Sequence, residues 1–151
     1  MRPEQVRWLI HLWPPLLFAG IRVKPIERDW RRIDVELRLA WWNRNAVGSL
    51  FGGSLFSMAD PFYPLILQHH LGPGYTVWTK AADIAFLKPG RKLARASFQI
   101  KDAEVERIRA EVAGEGRSTP TFTVQIRDQD GDILALVGAQ LHVRARRNEA
   151  G

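Results

Sequence analysis

The sequence contains no cysteine, which excludes disulfides, thiolate metal sites and a cysteine nucleophile together. A chain without thiols suits a reducing compartment, and a cytoplasmic location is the expectation. The sequence also has no apolar run of the roughly 20 residues that a membrane span requires. Its nearest approach, Trp8 to Ile21, is interrupted by His11 and the pair Pro14 and Pro15. Arg2 and Arg7 precede that stretch as in a secretory signal, yet no small-x-small cleavage site follows. We read it as an N-terminal helix near Pro3 to Leu12 folded over the domain, with a helix lying on a membrane surface as the alternative.

Other signals are equally scarce. The four histidines, His11, His69, His70 and His142, show neither metal-ligand spacing nor a triad pattern, so no metal site is expected. No phosphate loop or dinucleotide fingerprint occurs. Gly52-Gly53-Ser54-Leu55-Phe56 lacks the closing glycine of a nucleophile elbow. The net charge is +6, but the 22 Lys and Arg interleave with 16 Asp and Glu. That pattern describes a solvated surface, and with no nucleic-acid-binding motif beside it no nucleic-acid partner is expected.

What is present is a run of half-buried strands. Ile33, Val35, Leu37 and Leu39 alternate with polar residues, as do Ala94 to Ile100 and Phe122 to Ile126. Ile133 to Val143 predicts a long last strand, while Ile21 to Ile26 and Thr76 to Leu87 complete a set of about six. The turn Asp128-Gln129-Asp130-Gly131 predicts that the last two strands are antiparallel neighbours. Between the second and third strands, Gly53 to Leu71 is apolar on every side and predicts a buried helix. A peripheral helix is expected at Ala103 to Val112. The composite is an α+β fold in which an antiparallel sheet curls around one long helix. The 151 residues fit one domain, with residues 1–20 as N-terminal helix and lead-in and residues 145–151 as a flexible tail.

Two features of this frame carry chemistry. Gly52 and Gly53 open the central helix, where free N–H groups and the positive helix end can stabilise a developing oxyanion. The same glycines also permit a tight corner against the sheet. Asp60 is the only acid between Glu36 and Asp83. Set before Pro61, it either caps a restarted helix or serves as a general base or nucleophile. Eight residues separate Gly52 from Asp60, about 12 Å along a helix. They therefore reach one carbonyl only if a two-fold partner supplies one of them.

The string Asn45, Phe51-Gly52-Gly53, Ser54 to Asp60, then Ile84-Ala85-Phe86-Leu87-Lys88-Pro89-Gly90 resembles the hotdog-fold thioesterases of the phenylacetate-degradation type. The likeness runs from roughly Ile21 to Arg144 and is nearest to a branch known mainly as a domain of unknown function. It implies an acyl-CoA or acyl-carrier-protein thioester as substrate, CoA entering only as part of that substrate, and a homodimer that can pair into a tetramer. It implies Gly52 as the oxyanion-binding amide, Asp60 as base or nucleophile, Asn45 as a polar residue beside the thioester and Thr79 as a residue orienting water. Where those thioesterases carry His-Gly-Gly, this chain has Phe51, which removes a polar helper and leaves an acyl-binding protein without turnover as the alternative. Phe51 and Gly53 are expected at the substrate. Lys88, Arg91 and Lys92 stand where related proteins place cations near CoA phosphates, or else form a solvated loop. Phe62 and Tyr63 are the aromatics expected to line an acyl pocket.

Overall fold

A computed structural model describes residues 2–146; of the tail expected at residues 145–151, Ala145 ends the last strand opposite Tyr75 and the Arg146 N–H donates to the Gly74 carbonyl at 2.8 Å, while residues 147–151 lie outside the described residues. Two short helices lead in, α1 (Pro3–Leu12) and α2 (Pro14–Ala19), each opened by proline, whose missing N–H costs nothing at a helix start. The strands β1 (Ile21–Val23) and β2 (Arg32–Arg38) follow, then the helices α3 (Gly52–Ser57) and α4 (Phe62–Leu71). The remaining elements are β3 (Tyr75–Phe86), β4 (Leu93–Gln99), α5 (Asp102–Glu115), β5 (Arg117–Ser118), β6 (Thr121–Arg127) and β7 (Ile133–Ala145).

The strands form one antiparallel sheet in the order β1-β2-β4-β6-β7-β3, with the two-residue β5 added on β7. β5 makes the strand count seven where the sequence pattern predicts about six. Period-two alternation becomes burial as expected: Ile33, Val35 and Leu37 of β2 and Phe98 of β4 are sealed inside, while Asp34 and Arg95 between them are not. The predicted hairpin is present. Asp128 accepts the Asp130 and Asp132 N–H groups, each at 2.9 Å, and Gly131 adopts φ +89°.

The sheet curls around α3 and α4, the hotdog arrangement. The helical run expected from Gly53 to Leu71 is present but broken at Met58–Pro61. Pro61 has no N–H to donate back to Ser57 and its ring crowds the preceding turn, so the first segment stops and a second begins. Phe62 of α4 meets Phe98 at a centroid distance of 5.0 Å, and Tyr63 meets Phe98 at 5.2 Å and Phe122 at 4.9 Å. Truncating Phe98 to alanine in this fully buried cluster is expected to cost about 3–5 kcal/mol.

The sheet is weakest between β4 and β6, which share a single paired position, Arg95 with Arg127. Tyr63 fills that opening from inside and donates its hydroxyl to the Thr123 carbonyl at 2.7 Å. Burial pushes the Tyr63 phenol up to about 12, so it stays a donor at physiological pH.

The lead-in helices lie along the otherwise free edge of β1. Arg7 Nε donates to the Val23 carbonyl at 3.2 Å, and the Val23 N–H donates to His11 Nε2 at 2.9 Å. Ile10 and Leu16 anchor these helices in the core. α5 buries Val105, Ile108 and Val112, the apolar set that its sequence predicts.

Candidate functional site

The break in the central helix decides where Asp60 points. With α3 ended at Ser57, Asp60 lies in the turn and is exposed, not buried inside an apolar helix as the sequence alone suggests. Nor does it cap α4, whose first turn has no side-chain cap. Among the described residues the carboxylate has no side-chain hydrogen bond and no ion pair.

Its surroundings are a hollow of about 570 Å³ whose walls are mostly apolar, from Ile10, Trp13, Pro64, Leu65 and Val77. Thr79 lies on the same wall, so the structure brings together two of the four residues expected to act on the thioester. β3 has an irregular register between Thr79 and Ala81, the kind of bulge that re-aims side chains near a site. A smaller hollow of about 290 Å³ lies on the other side of Asp60, against Leu16 and Phe56. Trp13 borders both, which makes the lead-in helices part of the cavity wall.

The glycine pair occupies the other end of the helical run. Phe51 precedes α3 in extended conformation, and the Gly52 and Gly53 N–H groups have no backbone acceptor among the described residues. Both positions are closely approached. A methyl group on Gly52 would come within 3.0 Å of the Phe86 ring, and one on Gly53 within 2.5 Å of the Phe51 ring. Phe51 and Phe86 are themselves more than half exposed and flank these amides.

Gly52 thus abuts Phe86, whereas Asp60 shares its cavity with Thr79. Those two β3 residues are seven positions apart, roughly 23 Å of strand. The amides and the acid of one chain do not meet.

The other expected site residues are elsewhere. Asn45 spends its side chain on its own loop: Oδ1 accepts the Val47 and Ser49 N–H groups at 3.1 and 3.0 Å, and Nδ2 donates to Ser49 Oγ at 2.9 Å. Phe62 and Tyr63 are corrected from pocket lining to core, because an all-round apolar helix buries both faces. Lys88 is held by Asp128 at 3.2 Å and Asp132 at 2.5 Å, so its charge is already compensated. Arg91 is exposed in the β3–β4 loop. The residue that sequence reasoning passed over is Asn43. Buried, it accepts the Ala40 N–H at 2.7 Å and donates to the Arg38 and Ala19 carbonyls at 2.8 and 3.1 Å, fixing the loop before the glycines to α2 and β2.

A larger cavity, about 840 Å³, lies over the opening between β4 and β6 and holds none of the expected site residues. Most of its charges serve one another: Lys24 and Arg95 meet Glu36 at 2.9 and 3.3 Å, and Arg32 meets Asp34 at 2.9 Å. Burial alone would raise the Glu36 carboxyl, but the Lys24 hydrogen bond and the charges of Lys24, Arg95 and Arg38 hold it below the usual range. Among the described residues no three His, Asp or Glu side chains cluster as a metal ion would require.

Comparison with known proteins places this geometry in context. The sequence profile of the Domain of unknown function DUF4442 matches residues 3–143. No curated protein matches the sequence. Among solved structures, a Pseudomonas aeruginosa protein of unknown function, called a probable thioesterase, has TM-score 0.86 at 19% identity, with 97% of each chain covered. A thioesterase from Haemophilus influenzae has TM-score 0.73 at 15% identity, covering 100% of this chain and 96% of that one. The PaaI protein of the phenylacetic acid degradation operon of E. coli has TM-score 0.67 at 20% identity, covering 95% and 92%. At these identities the likeness is one of fold.

Proposed function

The chain belongs to the DUF4442 family, and from its hotdog fold and the geometry around Asp60 we propose a thioester hydrolase whose site forms between two copies of the chain. The observation that carries this reading is an exposed carboxylate with no side-chain partner among the described residues, beside Thr79 in a mostly apolar hollow. Such a hollow suits an acyl group, with the acid at its polar end. The hotdog fold shared with the thioesterases named above supports the substrate class, an acyl-CoA or acyl-carrier-protein thioester.

An exposed sheet edge supports the dimer. β3 is an edge strand, bonded among the described residues only to β7, and from Lys80 to Phe86 it is largely exposed. An unpaired edge of this length invites a second copy. If two β3 strands pair antiparallel about the midpoint between Ala82 and Asp83, Phe86 of one copy lies opposite Thr79 of the other. Gly52, packed on Phe86, then approaches the partner's Thr79 and Asp60. Within one chain the amide and the acid stand about 12 Å apart along the helical run, a gap that the two-fold partner closes.

In this site the Gly52 N–H donates to the thioester oxygen as charge develops on it. Asp60 of the other copy takes a proton from water while the water oxygen bonds to the acyl carbon, with Thr79 orienting that water. The C–S bond then breaks, and the Asp60 carboxyl returns its proton to the departing sulfur, which leaves as the free thiol. Direct attack by the Asp60 carboxylate, followed by hydrolysis of the anhydride, is the covalent variant. Asn45 acts only indirectly, by shaping the loop that leads to Phe51. Phe51, exposed beside the amides where the thioesterases carry histidine, favours a second reading, acyl-thioester binding without turnover. Release of free thiol from short, long and aromatic acyl-CoAs separates the two. Turnover of any of them supports the hydrolase; saturable binding with no thiol released rejects it for the binding reading.

A further inference from the structure

Six of the large apolar side chains left in solvent fall within the 11 residues from Trp8 to Phe18: Trp8, Leu9, Leu12, Trp13, Leu17 and Phe18. Scattered exposed apolar residues need no explanation, but a contiguous set does. On α1, Trp8, Leu12 and Leu9 fall within about 100° of helical arc. That arc faces away from Ile10, which anchors the helix in the core. α1 is therefore apolar on its buried side and on its exposed side. Trp41 and Trp42 extend the surface beyond the end of α2, where the Trp42 ring passes close to Gly20.

The same segment is poor in acid. Residues 2–24 hold Arg2, Arg7, Arg22 and Lys24 against Glu4 alone, and Glu4 is neutralised by Arg7 at 3.0 Å. Arg2 and Arg22 are exposed, and neither enters an ion pair with a described residue. A symmetric contact between two copies of this face would oppose like charges. An anionic lipid surface complements them, and tryptophan and phenylalanine favour the headgroup boundary. Among the described residues no helix is long and apolar enough to cross a membrane, so contact lies in the interface plane.

We propose that α1 and α2 seat the protein on the surface of an anionic bilayer, with Trp8, Leu12 and Phe18 entering the headgroup layer and Arg2 and Arg22 meeting lipid phosphates. The proposal rests on the hydrolase reading only for its use. Trp13 belongs to both the exposed face and the Asp60 hollow, so the lipid-facing surface and the hollow share a wall.

The test is sedimentation of the full-length protein with vesicles of phosphatidylcholine alone and of phosphatidylcholine with 30% phosphatidylglycerol. Binding is expected to the anionic vesicles, weaker at high salt and at least tenfold weaker without phosphatidylglycerol. Trp8→Glu with Leu12→Glu is expected to reduce it more than tenfold. Arg22→Glu, which leaves the apolar face intact, is expected to reduce it about fivefold or more. Asp60→Asn is expected to bind vesicles like the wild type whatever it does to turnover, which separates failure of this proposal from failure of the hydrolase reading. Absence of wild-type binding to anionic vesicles at low salt overturns the proposal, as does a change in assembly size, rather than in vesicle binding, caused by Trp8→Glu with Leu12→Glu.

Discussion

Replacing Asp60 by asparagine removes a charge while keeping the shape of the side chain. The carboxylate is exposed, caps no helix and has no described ion-pair or hydrogen-bond partner. Its loss should therefore change stability by no more than about 0.5 kcal/mol, as for surface positions free of such features. For a chain of 151 residues that is a shift of about 2 °C or less in Tm. Turnover should respond differently. A positioned general base contributes roughly 10²–10⁴ in rate, so kcat is expected to fall by that factor, about 3–5 kcal/mol of transition-state stabilisation. KM should change little, because apolar walls rather than the acid hold the acyl group. Thermal melts and thiol-release kinetics on the same preparations measure both quantities. Undiminished turnover would refute the role given to Asp60, and a Tm loss of many degrees would show the carboxylate to be structural.

Three further outcomes are expected. Asn43→Ala strands three backbone groups now bonded to one buried side chain and should cost about 2–4 kcal/mol by denaturant titration; a loss below 1 kcal/mol would contradict its anchoring role. Tyr63→Phe keeps the stacking on Phe122 but leaves the Thr123 carbonyl without its donor, for about 1–2 kcal/mol in the same assay; no measurable loss would show that water replaces the hydroxyl at the β4–β6 opening. Burial, then Arg7 and Arg22, lower the His11 pKa below its ordinary 6.5, and the bond from the Val23 N–H requires a bare Nε2. The folded state then binds fewer protons than the unfolded chain in that window, so this contribution is complete above about pH 6.5 and is lost as pH falls below it. Melts of wild type and His11→Gln should accordingly converge as pH drops from 7.5 to 5.5; a constant difference would contradict it.

How much of this was legible beforehand depended on which interactions leave a periodic trace. β2, β4 and β6 announce themselves because alternate residues face opposite sides, and the β6–β7 hairpin because Asp128 and Gly131 supply an Asx turn and a positive φ. The helical run was visible from its all-round apolarity, yet the same property placed Phe62 and Tyr63 in the core, against the expectation that they line a pocket. Pro61 marked the break, but whether Asp60 capped α4 or turned outward depended on the geometry of a single turn. Asn43 and Asn45 show the limit most plainly. Two residues apart in one loop, one bonds across to α2 and β2 and the other only to its own loop, and local sequence does not distinguish them. The β3 bulge that accompanies Thr79 leaves no sequence signal either.

The most direct measurement mixes two inactive variants. Asp60→Asn chains and Gly52→Pro chains, the latter lacking the N–H donor at a helix start that accepts proline, unfolded together and refolded at equal concentration, should form mixed dimers as half of all dimers, each with one intact site. The account predicts recovery of about one quarter of wild-type turnover from parents that have almost none. A mixture no more active than its parents, once mixed dimers are confirmed by mass, would contradict a site shared between two copies.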